Sequence, residues 1–184
     1  MSTNIIPKRW HIRYPHPQLQ VALSNALNIH PVVAQVLVNR QIENVEEARD
    51  FLCAGLGRLH DPFLLKDMEV AVERIKRAKD HDELVLIFGD YDVDGVTSSA
   101  MLQCLLKRMG IRAINYIPHR IHEGYGLNHN IGSYAEERGV GLIIAVDCGI
   151  NAFEAVETLK KKGIDVVIFD HHEPTHGRIP EAVA

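Results

Sequence analysis

The chain has 184 residues, 46% of them hydrophobic, with a formal net charge of −4. That length and apolar content support one sizeable core with a smaller helical appendage, and indicate a globular, soluble chain. No apolar run approaches the roughly 20 residues that cross a bilayer, and the start, MSTNIIPKRWHIRYPHP, lacks the apolar stretch of a signal peptide, so no membrane partner and a cytoplasmic location are expected.

Cys53, Cys104 and Cys148 form no CxxC pair, which argues against a disulfide framework and a thiolate zinc site. Residues 1 to 82 carry a net +1 and residues 83 to 184 a net −5. An acidic half repels phosphate unless cations sit among its carboxylates, so charge alone argues against nucleic acid and a metal site reverses the argument.

From Gln18 to about Ala54 the pattern predicts three short helices: LQVALSNALN, HPVVAQVLVNR opened by Pro31, and VEEARDFL. The stretch GLGRLHDPFLLKD then predicts a packed linker, with a domain junction near residues 55 to 66. Residues 1–66 are accordingly assigned to a helical N-terminal region with its linker, and residues 67–184 to the chemical domain. Asp67 is placed to cap a helix whose Met68, Ala71, Val72, Ile75 and Ala78 face inward, opposite Glu73, Arg74, Lys76, Arg77 and Lys79.

Beyond it, apolar runs at 84–88, 113–117, 142–146 and 165–169 alternate with helical patterns at 96–109, about 128–138, and 151–162. Gly110, Gly139 and Gly163 close those helices, and Asn151 with Glu154 resembles a capping box. Continuous apolar strands alternating with helices indicate an α/β fold, a doubly wound parallel sheet with helices on both faces. The end, HHEPTHGRIPEAVA, shows no further element, and the chain is expected to be truncated there.

Ligands of such sheets bind outside the carboxyl ends of the strands. There the sequence places GDYDVDG, PHR, Asp147 with Cys148, and Asp170-His171-His172. In an extended backbone, Asp90, Asp92 and Asp94 would turn their carboxylates to one side, an arrangement that costs stability without a cation. A calcium EF-hand loop fails, because its twelfth position is Met101 and an apolar run precedes it. A phosphate-binding P-loop fails as well, since Val96 and Thr97 follow Gly95 where Lys and Ser/Thr are needed. A solvated acidic turn is the alternative for the first run taken alone, but oxygen and imidazole donors recur after the third and fourth strands. That donor set suits two Mn²⁺ or Mg²⁺ ions, which activate water and orient a phosphate ester. Arg120 suits phosphate contacts, and Tyr125, between two glycines, suits stacking on a base or packing of its loop.

The strings GDYDVDGVTS, IPHR with EGYGL, AVDCGI and DHHE, in that order, resemble the successive motifs of the DHH phosphoesterase family. The resemblance runs from about Trp10 to the end, and its form is that of the members that degrade single-stranded DNA from 5′ to 3′ in repair and recombination. It implies Asp90, Asp92, Asp147 and His171 as metal ligands, with Asp147 bridging two ions, His172 near the phosphate, Asp94 and Asp170 as supports, and Arg120 and Tyr125 placing the strand. It further implies single-stranded DNA and other repair proteins as partners and a monomeric state. Phe88 and Gly89 stand where some relatives have a metal-binding histidine, and the family's later aspartate ligand and DNA-gripping domains lie outside this stretch, so an incomplete core is expected. Alternatives are a pyrophosphatase or short-oligonucleotide phosphodiesterase of the same family, and a non-catalytic metal- or DNA-binding fragment.

Overall fold

The structure, a computed structural model, describes residues 15–124, 126–128 and 130–184. The chain divides into two compact units between Asp61 and Pro62. The first contains α1 (Pro17–Leu27), α2 (Pro31–Asn39) and α3 (Val45–Leu52), the three helices expected. Pro17 and Pro31 stand in the opening turns of α1 and α2, where a missing N–H costs nothing. Asn44 caps α3, its Oδ1 accepting from Glu47 N at 2.7 Å. Leu23, Ala34, Leu37, Ile42 and Ala48 form the small core between the helices.

The expected packed linker does not form. Leu56–Arg58 and Pro62–Leu64 are single 3₁₀ turns, and Leu56, Leu59, Phe63, Leu64 and Leu65 stay exposed. Gly55, Gly57 and Pro62 interrupt any longer element, and a single turn has no face to bury.

In the second unit, α4 (Met68–Asp80) buries Ala71, Arg74 and Ala78. Arg74, expected on the outer face because of its charge, is only 6% exposed. Its position three residues after Ala71 and four before Ala78 puts it on the buried stripe. There it donates to Asp165 Oδ2 at 2.5 Å, Glu83 Oε2 at 2.6 Å and the carbonyl of Gly141 at 3.2 Å. Asp67 occupies the N-cap position, but at φ +56° its side chain makes no cap and instead accepts from Lys66 Nζ at 2.6 Å.

The apolar runs fold as β1 (Leu84–Gly89), β2 (Ala113–Tyr116), β3 (Val140–Val146) and β4 (Asp165–Phe169). They form one parallel sheet in the order β2-β1-β3-β4. Between them lie α5 (Val93–Arg108), α6 (Ile131–Glu137) and α7 (Phe153–Lys161). Val85, Ile87, Leu142, Ile144 and Val167 turn toward Ala71 and Ala78 of α4 and Leu106 of α5. Leu86, Phe88, Ile143, Ala145 and Val166 turn toward Ile131 of α6 and Val156 and Leu159 of α7. Both faces are thus covered, which is why the strands read as unbroken apolar runs, and the expected α/β class is the one that forms.

One local expectation fails. Ala152, not Asn151, holds the N-cap of α7, and no side chain caps that helix. Asn151 instead ties down the segment after β4, donating to Glu173 O at 3.1 Å and accepting from Thr175 N at 2.7 Å. At the end of the chain a single 3₁₀ turn, Thr175–Gly177, is followed by no further element among the described residues, although Val183 N donates to Val166 O and Ala184 O accepts from Ile168 N. They run alongside β4 in its direction, over a length too short to leave a pattern.

Arg74 holds the starts of three strands, so its loss should be felt throughout the sheet. Because Glu83 and Asp165 keep 20% and 33% side-chain exposure, Arg74→Met is expected to destabilise by about 2–4 kcal/mol, at or below the usual range for a broken buried pair. Arg112→Met, which removes a surface pair with Asp82, is expected to stay within about 1 kcal/mol. Urea unfolding of both variants checks this, and equal shifts would refute the clamp.

Candidate metal centre

Register brings the acidic residues together. Gly89 pairs with Val146, and Val146 with Phe169, so the next residues, Asp90, Asp147 and Asp170, leave three neighbouring strands about 4.8 Å apart at the same level. β1 and β3 are also where the chain changes direction across the sheet, the crevice at which such folds bind ligands.

Two glycines let α5 press onto this edge. A Cβ on Gly89 would lie 2.1 Å from Ser99 Oγ, and one on Gly95 would lie 2.4 Å from both the N and the O of Asp90. The helix begins inside the acidic motif, three residues earlier than expected, because Asp92 is its N-cap and accepts from Asp94 N at 3.0 Å and Gly95 N at 3.1 Å. The expected extended run with three carboxylates on one side is therefore not what forms. Asp90 is 2% exposed, Asp92 stands at the helix start, and Asp94 lies exposed in the first turn.

Asp147 follows β3 at φ +62°, a left-handed conformation that short polar side chains tolerate and that recurs at functional sites. Its N–H donates to Phe169 O at 2.8 Å, and its Oδ1 lies 3.3 Å from His171 Nδ1. The Asp170 side chain is enclosed. One oxygen accepts from His171 N at 2.8 Å and His172 N at 3.1 Å and lies 2.7 Å from His172 Nδ1, while the other accepts from Ile150 N at 3.0 Å. The two imidazoles stack with centroids 4.6 Å apart.

Two donor groups result: Asp90, Asp92 and Asp147, and Asp147, Asp170, His171 and His172. In each, one ligand atom per residue lies within 4.8 Å of the others. Asp147 belongs to both. The N–H of Gly95, then the neighbouring Asp147 and Asp94, hold Asp92 below the usual carboxylate range. Burial, then the adjacent Asp92, pushes Asp147 up. For Asp170 burial acts upward but is outweighed by the donors from Ile150 and His172, and His172 is raised by its bond to Asp170. Asp90 Oδ1 is buried without a hydrogen-bond partner among the described residues, an arrangement that an ion resolves. Crowded carboxylates, an orphan oxygen and an all-oxygen and imidazole donor set fit hard divalent cations.

Beside the cluster lies a cavity of about 660 Å³ lined by Asp94, Asp147 and His171 together with apolar Leu65, Met68 and Ile179. Arg120 reaches the site from after β2, its guanidinium 5.2 Å from the centroid of the Tyr91 ring. Tyr125 lies outside the described residues. The sequence reading missed Tyr91, whose place between two aspartates was the available signal, and the steric roles of Gly89 and Gly95, for which the GDYDVDG spacing was the signal.

A parallel α/β sheet carrying aspartates and histidines at its switch point defines the class. Residues 84–184, more than half of the chain, match the model of the DHH family, N-terminal domain, and the chain belongs to that family. It is similar to the single-stranded-DNA-specific exonuclease RecJ of Bacillus subtilis, 42% identical over 166 residues, which are 90% of this chain and 21% of the relative. The RecJ of Haemophilus influenzae is 34% identical over 156 residues, 84% of this chain and 26% of the relative. The chain thus spans between a fifth and about a quarter of the length of these two relatives. Among solved structures, exonuclease RecJ bound to manganese is similar at 31% identity with a TM-score of 0.60, over 65% of this chain and 30% of that one. RecJ of Thermus thermophilus in complex with Mn²⁺ shares the fold at a TM-score of 0.68 and 24% identity, over 94% of this chain and 24% of that one.

Gly95→Ala should push α5 off Asp90 and destabilise by about 1–3 kcal/mol, the usual cost of overpacking. Gly57, whose added Cβ would meet nothing within 4 Å, is the control. Chemical denaturation compares them, and a Gly95 variant as stable as the Gly57 variant would refute the close packing.

Proposed function

We propose that this chain is the N-terminal part of a RecJ-like exonuclease that degrades single-stranded DNA from 5′ to 3′ in repair and recombination, as a cytoplasmic monomer working with other repair proteins. In this reading residues 67–184 contribute to the catalytic domain and residues 1–66 form a helical region preceding it. The observation that carries the proposal is the pair of donor groups sharing Asp147 at the switch point of the sheet. The similarity to RecJ over 90% of the chain supports the choice of substrate.

Asp90, Asp92, Asp147 and His171 would hold two divalent cations, Mn²⁺ or Mg²⁺, with Asp147 available to both because it belongs to both donor groups. When bound, such ions orient the scissile phosphate, lower the pKa of an attacking water and offset charge on the leaving oxygen. The chain's own groups do the rest. Asp170, committed to three backbone N–H groups and to His172, orients the His172 ring and pins the backbone of His171. His172 stands next to the phosphate, Arg120 and Tyr125 place the strand, and Asp94 supports the acidic edge.

Because Asp147 sits in the left-handed region, Asn is the substitution that tests its charge without adding strain. In the full-length protein, Asp147→Asn is expected to weaken both Mn²⁺ sites in isothermal titration and to lower hydrolysis of labelled single-stranded DNA by about a thousandfold, equivalent to losing several kcal/mol of charge stabilisation. Unchanged stoichiometry and affinity would sink the bridging role. Cleavage of pyrophosphate or short oligonucleotides with no action on long single strands would retain the metal centre and overturn the exonuclease.

A further inference from the structure

The loop after β2 is built to hold one side chain. Glu123 turns back under it, accepting from the Tyr116 hydroxyl and from His119 N at 2.7 Å. The bond to Glu123, with burial, pushes the Tyr116 phenol up to about 12, so the phenol stays a donor at neutral pH. Pro118 is buried in the same turn, and the rings of His119 and His122 lie 4.5 Å apart. Arg120 projects from this pinned segment.

The guanidinium has an unusual environment. It neighbours the acidic loop 90–94, yet it makes no ion pair with any carboxylate among the described residues. The contact that locates it is the face of Tyr91 at 5.2 Å. Tyr91 lies between Asp90 and Asp92, so the stacking ties the arginine to the segment that carries two of the proposed metal ligands. A guanidinium held over a ring by cation–π attraction keeps N–H donors for an anionic partner such as a phosphate.

We propose that Tyr91 is a positioning residue, a platform that holds Arg120 at the edge of the metal centre with its donors directed to a backbone phosphate of the substrate strand. This rests on the nuclease reading above. A free arginine surrenders much rotamer freedom when it binds phosphate, and one already stacked surrenders less. Tyr91 therefore acts on substrate affinity through Arg120 and leaves the cations alone.

A double-mutant cycle in the full-length protein tests it, read with Mn²⁺ present by fluorescence anisotropy of a labelled, nuclease-resistant single-stranded oligonucleotide, and separately by Mn²⁺ titration without the oligonucleotide. Tyr91→Leu is expected to weaken oligonucleotide binding about two- to fivefold, Tyr91→Phe to restore it, and Mn²⁺ affinity to stay within about twofold. In an Arg120→Ala background, Tyr91→Leu is expected to have no further effect. Equal losses in both backgrounds, or a loss of Mn²⁺ affinity as large as that for the oligonucleotide, would overturn the platform role alone. If the unaltered protein bound no single strand, the nuclease reading would fall and this inference with it.

Discussion

The structure depends on the register of three parallel strands. Once Gly89, Val146 and Phe169 lie side by side, the residues that follow must emerge together, and here those are Asp90, Asp147 and Asp170. Like charges in such proximity oppose folding. Each element around the edge makes the crowding tolerable in a different way: α5 turns its N-terminal N–H groups to Asp92, and the turn after β3 gives Asp170 a backbone donor from Ile150.

The two ends of the sheet have divided roles. At the amino ends of β1, β3 and β4, Arg74 gathers Glu83, the carbonyl of Gly141 and Asp165 into a hydrogen-bonded network. At the carboxyl ends of β1 and β3 the carboxylates of Asp90, Asp92 and Asp147 gather, and Asp90 Oδ1 has no hydrogen-bond partner among the described residues. A buried arginine with two carboxylates and a carbonyl is a stability device. The carboxylates gathered at the other end are the candidate ligand set, and the length of the strands separates the two ends.

Much of this was legible in the chain. Among the described residues, the four strands and the seven α-helices follow from periodicity and from breakers such as Gly110, Gly139 and Gly163, because burying both sheet faces forces unbroken apolar runs. What was illegible depended on competition between neighbours. Asp92 looked like one of three equivalent acids, but its carboxylate found the N–H groups of Asp94 and Gly95 and so started the helix early. Asn151 looked like a cap, but the chain after β4 offered it two better partners. Arg74 looked like surface by composition, since only tertiary structure brings Glu83 and Asp165 to it. The candidate ligands were identifiable as residue types at strand ends, whereas the sharing of Asp147 between two groups required the register.

The distribution of satisfied and unsatisfied acids also discriminates among them. Asp92 and Asp170 are held down in pKa by backbone N–H groups, and so have structural partners whether or not an ion is present. Asp147 is pushed up, and Asp90 keeps a buried oxygen without a hydrogen bond among the described residues. These two are neighbours across the β1–β3 pair. A raised Asp147 and an unpartnered Asp90 oxygen thus adjoin between two strands, where a group that is positive, compact and able to contact both carboxylates would relieve them. An arginine is too long and planar for that position, and Arg120 is turned onto Tyr91 instead of into it. A small divalent cation meets all three conditions.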